Sequence, residues 1–246
     1  MGWNPIGQMS KIETNTLTIM SDINKPTAED YFYVSVKGGL GAIPYIGSAA
    51  SELLGLLVTP PLEKRKQKWL IELGEKLIEL EEKSKIDLST LADNEQFIDT
   101  VLVATTLALK TSEDEKIKAF QNAIMNTALG QSPDKTKGQI FLNLLDTFTV
   151  WHIKILHFID NPTRWFENAG QTPPSFMMGS LSSVLIDAFP PLNGQQELLN
   201  VIWRVLYDNG FHNTSGLMTT MTGNGLLENR TTQLGQEFLK FISLPK

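Results

Sequence analysis

The chain has 246 residues, 41% of them apolar, no cysteine and a formal net charge of −6 at pH 7. That length builds a core without covalent staples, and the lack of cysteine excludes disulfide and thiolate chemistry and fits, without proving, a reducing compartment. An acidic chain is repelled by phosphate, which disfavours broad nucleic-acid binding unless a local basic patch overrides it.

Residues 1–26 are polar and aperiodic and read as an N-terminal arm. The first nineteen residues lack a basic start followed by an apolar run, so no secretory leader is expected. Ile6 stands where a myristoylation signal requires Ser or Thr. A short helix can start at residues 27–30, and Lys37-Gly38-Gly39 interrupts the aromatic segment that follows.

Residues 38–62 hold no Lys or Arg and one acid, Glu52. Gly47, Ser48, Ala49, Ala50 and Ser51 occupy the middle, and Leu53, Leu54, Leu56, Leu57 and Val58 close the stretch. Residues 40–58 approach the ~20 residues that span a bilayer. Pro44, Glu52 and the glycines at 41, 47 and 55 oppose spanning, so a buried element is the first reading and conditional membrane contact the second. The small residues would admit a neighbouring helix in either medium.

Pro60-Pro61 ends that element, because neither residue donates to a helix ladder. Residues 62–85 then give the clearest helix, with Leu70, Leu73, Leu77 and Leu80 as its apolar stripe and Glu72–Lys76 and Glu79–Lys83 as i,i+4 pairs. Its start is basic (Lys64, Arg65, Lys66, Lys68) and its middle acidic, opposite to the preference of the helix dipole. A solvated face explains this pattern, and so does a basic collar suited to an anionic lipid surface.

Residues 94–109 are apolar on nearly every side and read as a central helix. Ser112 and Glu115 spell a capping box for the next helix, which carries Ile117, Phe120, Ile124 and Ala128 and stops at Gly130. Ser132-Pro133 is read as cap and first position of another helix, and Thr149 as the cap of a last one over 150–159. His152 and His157 on it point about 140° apart, a poor chelate, and are read as packing or surface histidines. Residues 161–179 read as a linker that Trp165, Phe166, Phe176, Met177 and Met178 pack down.

From 180 onward come a short helix ending at Pro190-Pro191 and a helix over 195–209 with Leu198, Leu199, Ile202, Leu206 and Tyr207 inward. Asn209-Gly210 stops it; a turn flanked by extended pieces follows over 216–225, then a final helix capped by Thr232. Helix, helix, hairpin, helix resembles a winged-helix module. Four basic residues (Arg204, Arg230, Lys240, Lys246) stand there against five acidic ones, which favours a packing or protein-contact role over phosphate tracking. The chain carries no nucleophile elbow, Walker loop, zinc-protease helix or dinucleotide fingerprint, and Gly38-Gly39-Leu40-Gly41 lacks the Lys-Ser/Thr of a phosphate cradle.

The apolar Gly/Ala stretch ending in proline (38–61), the basic-acidic helix after it, FLNLLDTFTVWHIKIL at 141–156 and GLLENRTTQLGQEFLKFI at 225–242 together resemble bacterial abortive-infection alpha proteins. That resemblance implies a role in prokaryotic antiviral defence or cell-death control and carries over no catalytic residue.

The expected architecture is mainly α: an arm (1–26), a helical bundle (27–160), a linker (161–179) and a small winged-helix-like C-terminal module (180–246). The expected function is a non-enzymatic interaction or effector protein. Its candidate membrane or partner contacts are Ile43, Tyr45, Leu53, Leu54, Leu57, Lys64, Arg65, Lys66 and Lys68. A winged-helix DNA-binding regulator and an enzyme with an unrecognised site are the alternatives. No cofactor or metal is expected; the partners are another protein or a second copy, with conditional membrane contact, in a cytoplasmic or peripheral-membrane setting.

Overall fold

The computed structural model describes residues 60–245 apart from 84 and 176, and these are mainly α-helical with one two-stranded sheet. The arm, the short helix expected from 27 and the apolar stretch up to 59 lie outside the described residues.

Helix α1 (Pro60–Glu82) opens on its prolines, which the first turn tolerates because their missing N–H has no intrahelical acceptor there. Its buried face is Lys66, Trp69, Leu73 and Leu80, with Leu77 half-buried. The expected stripe placed Leu70 inside, but Leu70 is exposed. Trp69 takes the inner position because its indole N–H reaches Thr105 Oγ1 at 3.0 Å while the ring fills the core. Glu72 pairs with Lys68 at 3.6 Å instead of Lys76, whereas the Glu79–Lys83 pair forms at 2.5 Å.

A short helix α2 (Leu88–Leu91), capped by Asp87, leads to α3 (Glu95–Ala108), capped by Asn94. The expectation that 94–109 is central is overturned, since Ile98 and Leu102 face solvent. The central element is α4 (Asp114–Ala128), packed against α3, α5 (Lys135–Thr147) and the C-terminal helix α11 (Gln233–Ile242). Its polar residues hid this role. Lys116, Gln121, Asn122, Asn126 and Thr127 are all buried and hydrogen-bonded, so they interrupt the apolar pattern without interrupting the packing.

Two caps differ from expectation. The Ser112/Glu115 box does not form: Thr111 Oγ1 accepts from the Glu113 N–H, and Glu115 turns to Lys154 at 3.1 Å. Asp134, not Ser132, caps α5 by accepting from the Lys137 N–H at 3.0 Å, while Ser132 accepts from Gln96 Nε2. Thr149 does cap α6 (Val150–Asp160), with His152 reaching back to its N–H. Gly130 and Gly210 end their helices with φ of 66° and 73°, a region that disfavours side chains.

Residues 161–179 hold α7 (Pro162–Asn168), capped by Asn161, and strand β1 (Met178–Ser180) starts within them. Helix α8 (Leu181–Ala188), a 3-10 turn at Pro190–Leu192, α9 (Gln196–Asp208), strand β2 (Thr220–Thr222) and α10 (Gly223–Leu226) follow. Strand β2 pairs antiparallel with β1, Met178 opposite Thr222, instead of closing a hairpin within 216–225. On α9, Leu199, Ile202, Trp203 and Leu206 are buried; Leu198 and Tyr207, expected inside, are exposed.

Two aromatic clusters centre the core. Phe141, Phe148, Phe211 and Phe238 meet edge-on or stacked, with Phe141–Phe238 centroids 5.3 Å apart and Phe211–Phe238 4.8 Å apart. Phe158, Trp165, Phe166 and Phe189 form the second, with Trp165–Phe189 at 5.0 Å. The core therefore runs continuously from α1 to α11, and the described residues from 61 onward make one compact unit.

Candidate functional site

A cleft of about 890 Å3 opens between α1 and the α3–α4 pair. Two contacts clasp α1 beside it. The Trp69–Thr105 bond is one; the other is Gln121 Nε2 donating to Glu72 Oε2 at 2.9 Å. Ala108, Leu109, Ile117 and Leu244 add apolar wall.

The lining charges balance: Arg65, Lys68, Lys76 and Lys118 against Glu72, Glu75, Glu79 and Asp114. A cleft with no net sign has no general pull on a phosphate or a metal ion. Its alternating charges beside an apolar wall match a polypeptide segment of mixed charge. Glu79 is held below the usual carboxylate range by the hydrogen bond and charge of Lys83.

The predicted basic residues do not form one patch. Successive helical residues turn by about 100°. Lys66 is accordingly buried on the inner face, Arg65 and Lys68 line the cleft, and Lys64 is exposed but not part of the lining. Ile43, Tyr45, Leu53, Leu54 and Leu57 lie outside the described residues. Sequence reasoning missed Trp69, Gln121 and Lys118. A lone tryptophan among lysines was the available signal for the first; Gln121 and Lys118 carried none.

The histidines are held in structural roles. His152 is buried, stacks on Phe148 at 5.0 Å and accepts the Thr149 N–H through Nδ1 at 3.1 Å. His212 is buried, with Nε2 3.0 Å from the Trp203 carbonyl and Nδ1 accepting from the Thr214 N–H. His157, half-buried, is depressed in pKa by burial. Among the described residues no group of His, Asp and Glu could hold a metal ion, and no helix is long and apolar enough to cross a membrane. Arg230 is buried without a carboxylate partner in hydrogen-bond reach; it donates to Thr214 Oγ1 and to the Gly225 carbonyl, tying the loops around β2 together.

The chain matches no family model, no curated protein and no solved structure.

Proposed function

We propose that this protein works by contact instead of turnover, as an effector in prokaryotic antiviral defence or cell-death control, with the cleft between α1 and α3–α4 receiving a segment of a partner protein. The cleft's balanced charge beside an apolar wall carries this reading. The resemblance of the sequence to abortive-infection alpha proteins supplies the biological setting. The Gly/Ala-rich stretch 38–62 belongs to the proposal as the apolar effector segment, on its composition alone.

Residues from 180 onward are read as a packing and protein-contact module; the helix, helix, hairpin, helix order of a winged helix is not met there, because β2 pairs with β1 (Met178–Ser180) instead of closing a hairpin. On α9 the outer face bears exposed Leu198, Val201 and Tyr207, and Arg204 is engaged by Asp208 at 3.4 Å. That composition favours a protein surface over a phosphate backbone.

The test is expression in a bacterial host under phage challenge. Wild type is expected to reduce plaque formation or arrest growth on infection. A variant with both cleft walls reversed in charge, Glu75→Lys with Lys118→Glu, is expected to lose the effect at equal protein level. If the wild type gives neither protection nor arrest across a varied phage panel, the defence reading fails.

A further inference from the structure

We propose that His212 is the pin of an acid-released latch: the neutral imidazole holds the segment 214–216 closed, and a second proton on the ring opens it. The inference concerns a local change of conformation, and it stands whether or not the protein is a defence effector.

Backbone groups fix both nitrogens of the ring. Nε2 lies 3.0 Å from the Trp203 carbonyl, and a carbonyl only accepts, so Nε2 carries the hydrogen. Nδ1 lies 3.3 Å from the Thr214 nitrogen and accepts its N–H, so Nδ1 must be bare. One tautomer of the neutral ring meets both demands, and the imidazolium meets only one. His212 is 2% exposed, so solvent cannot replace either bond while the segment is closed.

Three bonds from outside the segment meet at Thr214. Its N–H goes to His212 Nδ1, its carbonyl accepts from the Trp203 indole N–H at 2.8 Å, and its hydroxyl accepts from Arg230 Nη1 at 3.1 Å. A hydrogen on Nδ1 sets donor against donor at the first of these bonds. The Thr214 peptide must then turn away, and its carbonyl leaves the indole in the same motion. Both flanks stay anchored. Phe211 is buried and the Asn213 N–H is tied to the Arg230 carbonyl at 3.1 Å; Leu217 is buried and its carbonyl accepts from the Ser182 N–H at 3.2 Å. Opening is therefore local, and it frees two donors, the Trp203 indole N–H and one N–H of buried Arg230.

The groups around the ring act in the same direction. From α9 it meets the rings of Trp203 at 4.1 Å and Tyr207 at 5.6 Å, and from the segment bridged to it at Thr231 it faces the charge of Arg230. Burial, and Arg230 with it, push the closed ring below its ordinary value of 6.5 against the smaller pull of the Trp203 carbonyl. With Thr214 turned away, water reaches Nδ1 and the ring returns toward that ordinary value. The open form then binds the proton that the closed form refuses, so falling pH favours opening. With the closed ring neutral throughout, the open population rises up to about 30-fold between about pH 7.5 and about pH 5.

The test uses the full chain and nitrogen NMR as pH is lowered. The His212 ring is expected to show the Nε2–H tautomer at neutral pH. Its proton uptake is expected to share one midpoint with a loss of exchange protection at the Thr214 amide and the Trp203 indole N–H, after correction for the intrinsic effect of pH on exchange. Amides of α4 and α11 are expected to keep their protection through that midpoint. His212→Gln keeps a donor and an acceptor but does not titrate, and it is expected to remove the pH dependence at Thr214, whether its segment is held or loose. Thr214→Val removes the bond to Arg230, weakens the closed form and is expected to move the midpoint to higher pH. Protonation of His212 with the Thr214 amide still protected overturns the proposal. So does a ring that stays neutral until α4 loses protection, and so does an unchanged pH dependence in His212→Gln.

Discussion

The side-chain amide of Asn126 in α4 donates to the carbonyl of Phe241 in α11, 115 positions further along the chain, at 2.9 Å. The same nitrogen lies 3.2 Å from the Lys240 carbonyl and 2.8 Å from that of Ser243, and Asn122 Nδ2 donates to Ile242 O at 2.9 Å. The last carbonyls of a helix have no intrahelical partner. Two asparagines one turn apart on the central helix satisfy those of α11, so the end of the chain is locked by polar contacts inside an apolar core. Asn126→Leu keeps the branched shape, removes the donor and strands the carbonyls. It is expected to lower stability by about 2–3 kcal/mol, read as a lower urea midpoint. Adding Asn122→Ala is expected to cost less than its separate effect, because both residues hold one helix end. An unmoved midpoint in Asn126→Leu would mean that the end of α11 is held by its apolar face alone.

Two glycines on helices are expected to respond to alanine in opposite directions. Gly235 sits where a Cβ would fall 2.4 Å from the Phe211 carbonyl oxygen, itself fixed by the Thr232 N–H at 3.0 Å. Backbone cannot yield there, so Gly235→Ala is expected to lose about 1–3 kcal/mol despite alanine's better helix propensity. Gly74 has open space around its missing side chain. Gly74→Ala is expected to gain about 0.5–1 kcal/mol, from helix propensity alone. Thermal melts of the two variants decide, and the same sign for both would remove the distinction.

Helices were legible where one physical signal dominated. Thr149, Thr232, Gly130 and Gly210 marked boundaries correctly because cap and stop chemistry is local. The central helix was misassigned because hydropathy ranks α3 above α4, and only tertiary contacts reveal that Asn122, Asn126 and Gln121 are buried with partners. The stripe on α1 slipped by one residue at Trp69 because its position depends on Thr105, 36 residues away. The partner of β2 was out of reach for the same reason, since β1 lies before two helices. Of the cleft, the charged wall on α1 was visible in the sequence; the opposite wall, on α4, was not.

Acidification is expected to destabilise the fold from about pH 6.5 downward. Burial pushes His152, His157 and His212 below their ordinary value of 6.5, and Lys116 and Arg230 add to the effect at His152 and His212. In the unfolded chain these imidazoles take up protons near 6.5 while the folded ones remain neutral. The unfolded state then binds more protons, so stability is full above 6.5 and declines as pH falls toward the depressed folded values. The lowered carboxylates, Glu115 and Glu237 among them, act in the same direction only below their ordinary 4.5, which separates the two windows. Urea midpoints from about pH 7 to about pH 5 should decline in wild type, with a shallower slope in His212→Gln. A flat profile over that range would show that the histidines are accessible to protons in the folded state.

The hold on α1 decides whether the cleft is a fixed feature or one that opens. Trp69 is the largest buried side chain on α1's inner face, and its indole N–H bond to Thr105 fixes the ring as well as the helix. Trp69→Phe removes that bond and is expected to cost about 1 kcal/mol. Trp69→Ala also removes the ring and is expected to cost about 3–5 kcal/mol. The second measurement is hydrogen exchange along the chain. Because α1 is tied to α3 through Trp69–Thr105 and to α4 through Glu72–Gln121, while α4 is enclosed by α3, α5 and α11, the loss should open α1 locally. Amides of α1 are then expected to exchange faster in Trp69→Ala while those of α4 and α11 keep their protection. Equal acceleration in α4 would place α1 within the globally cooperative core, and the cleft it bounds could then not widen to admit a partner without unfolding the protein.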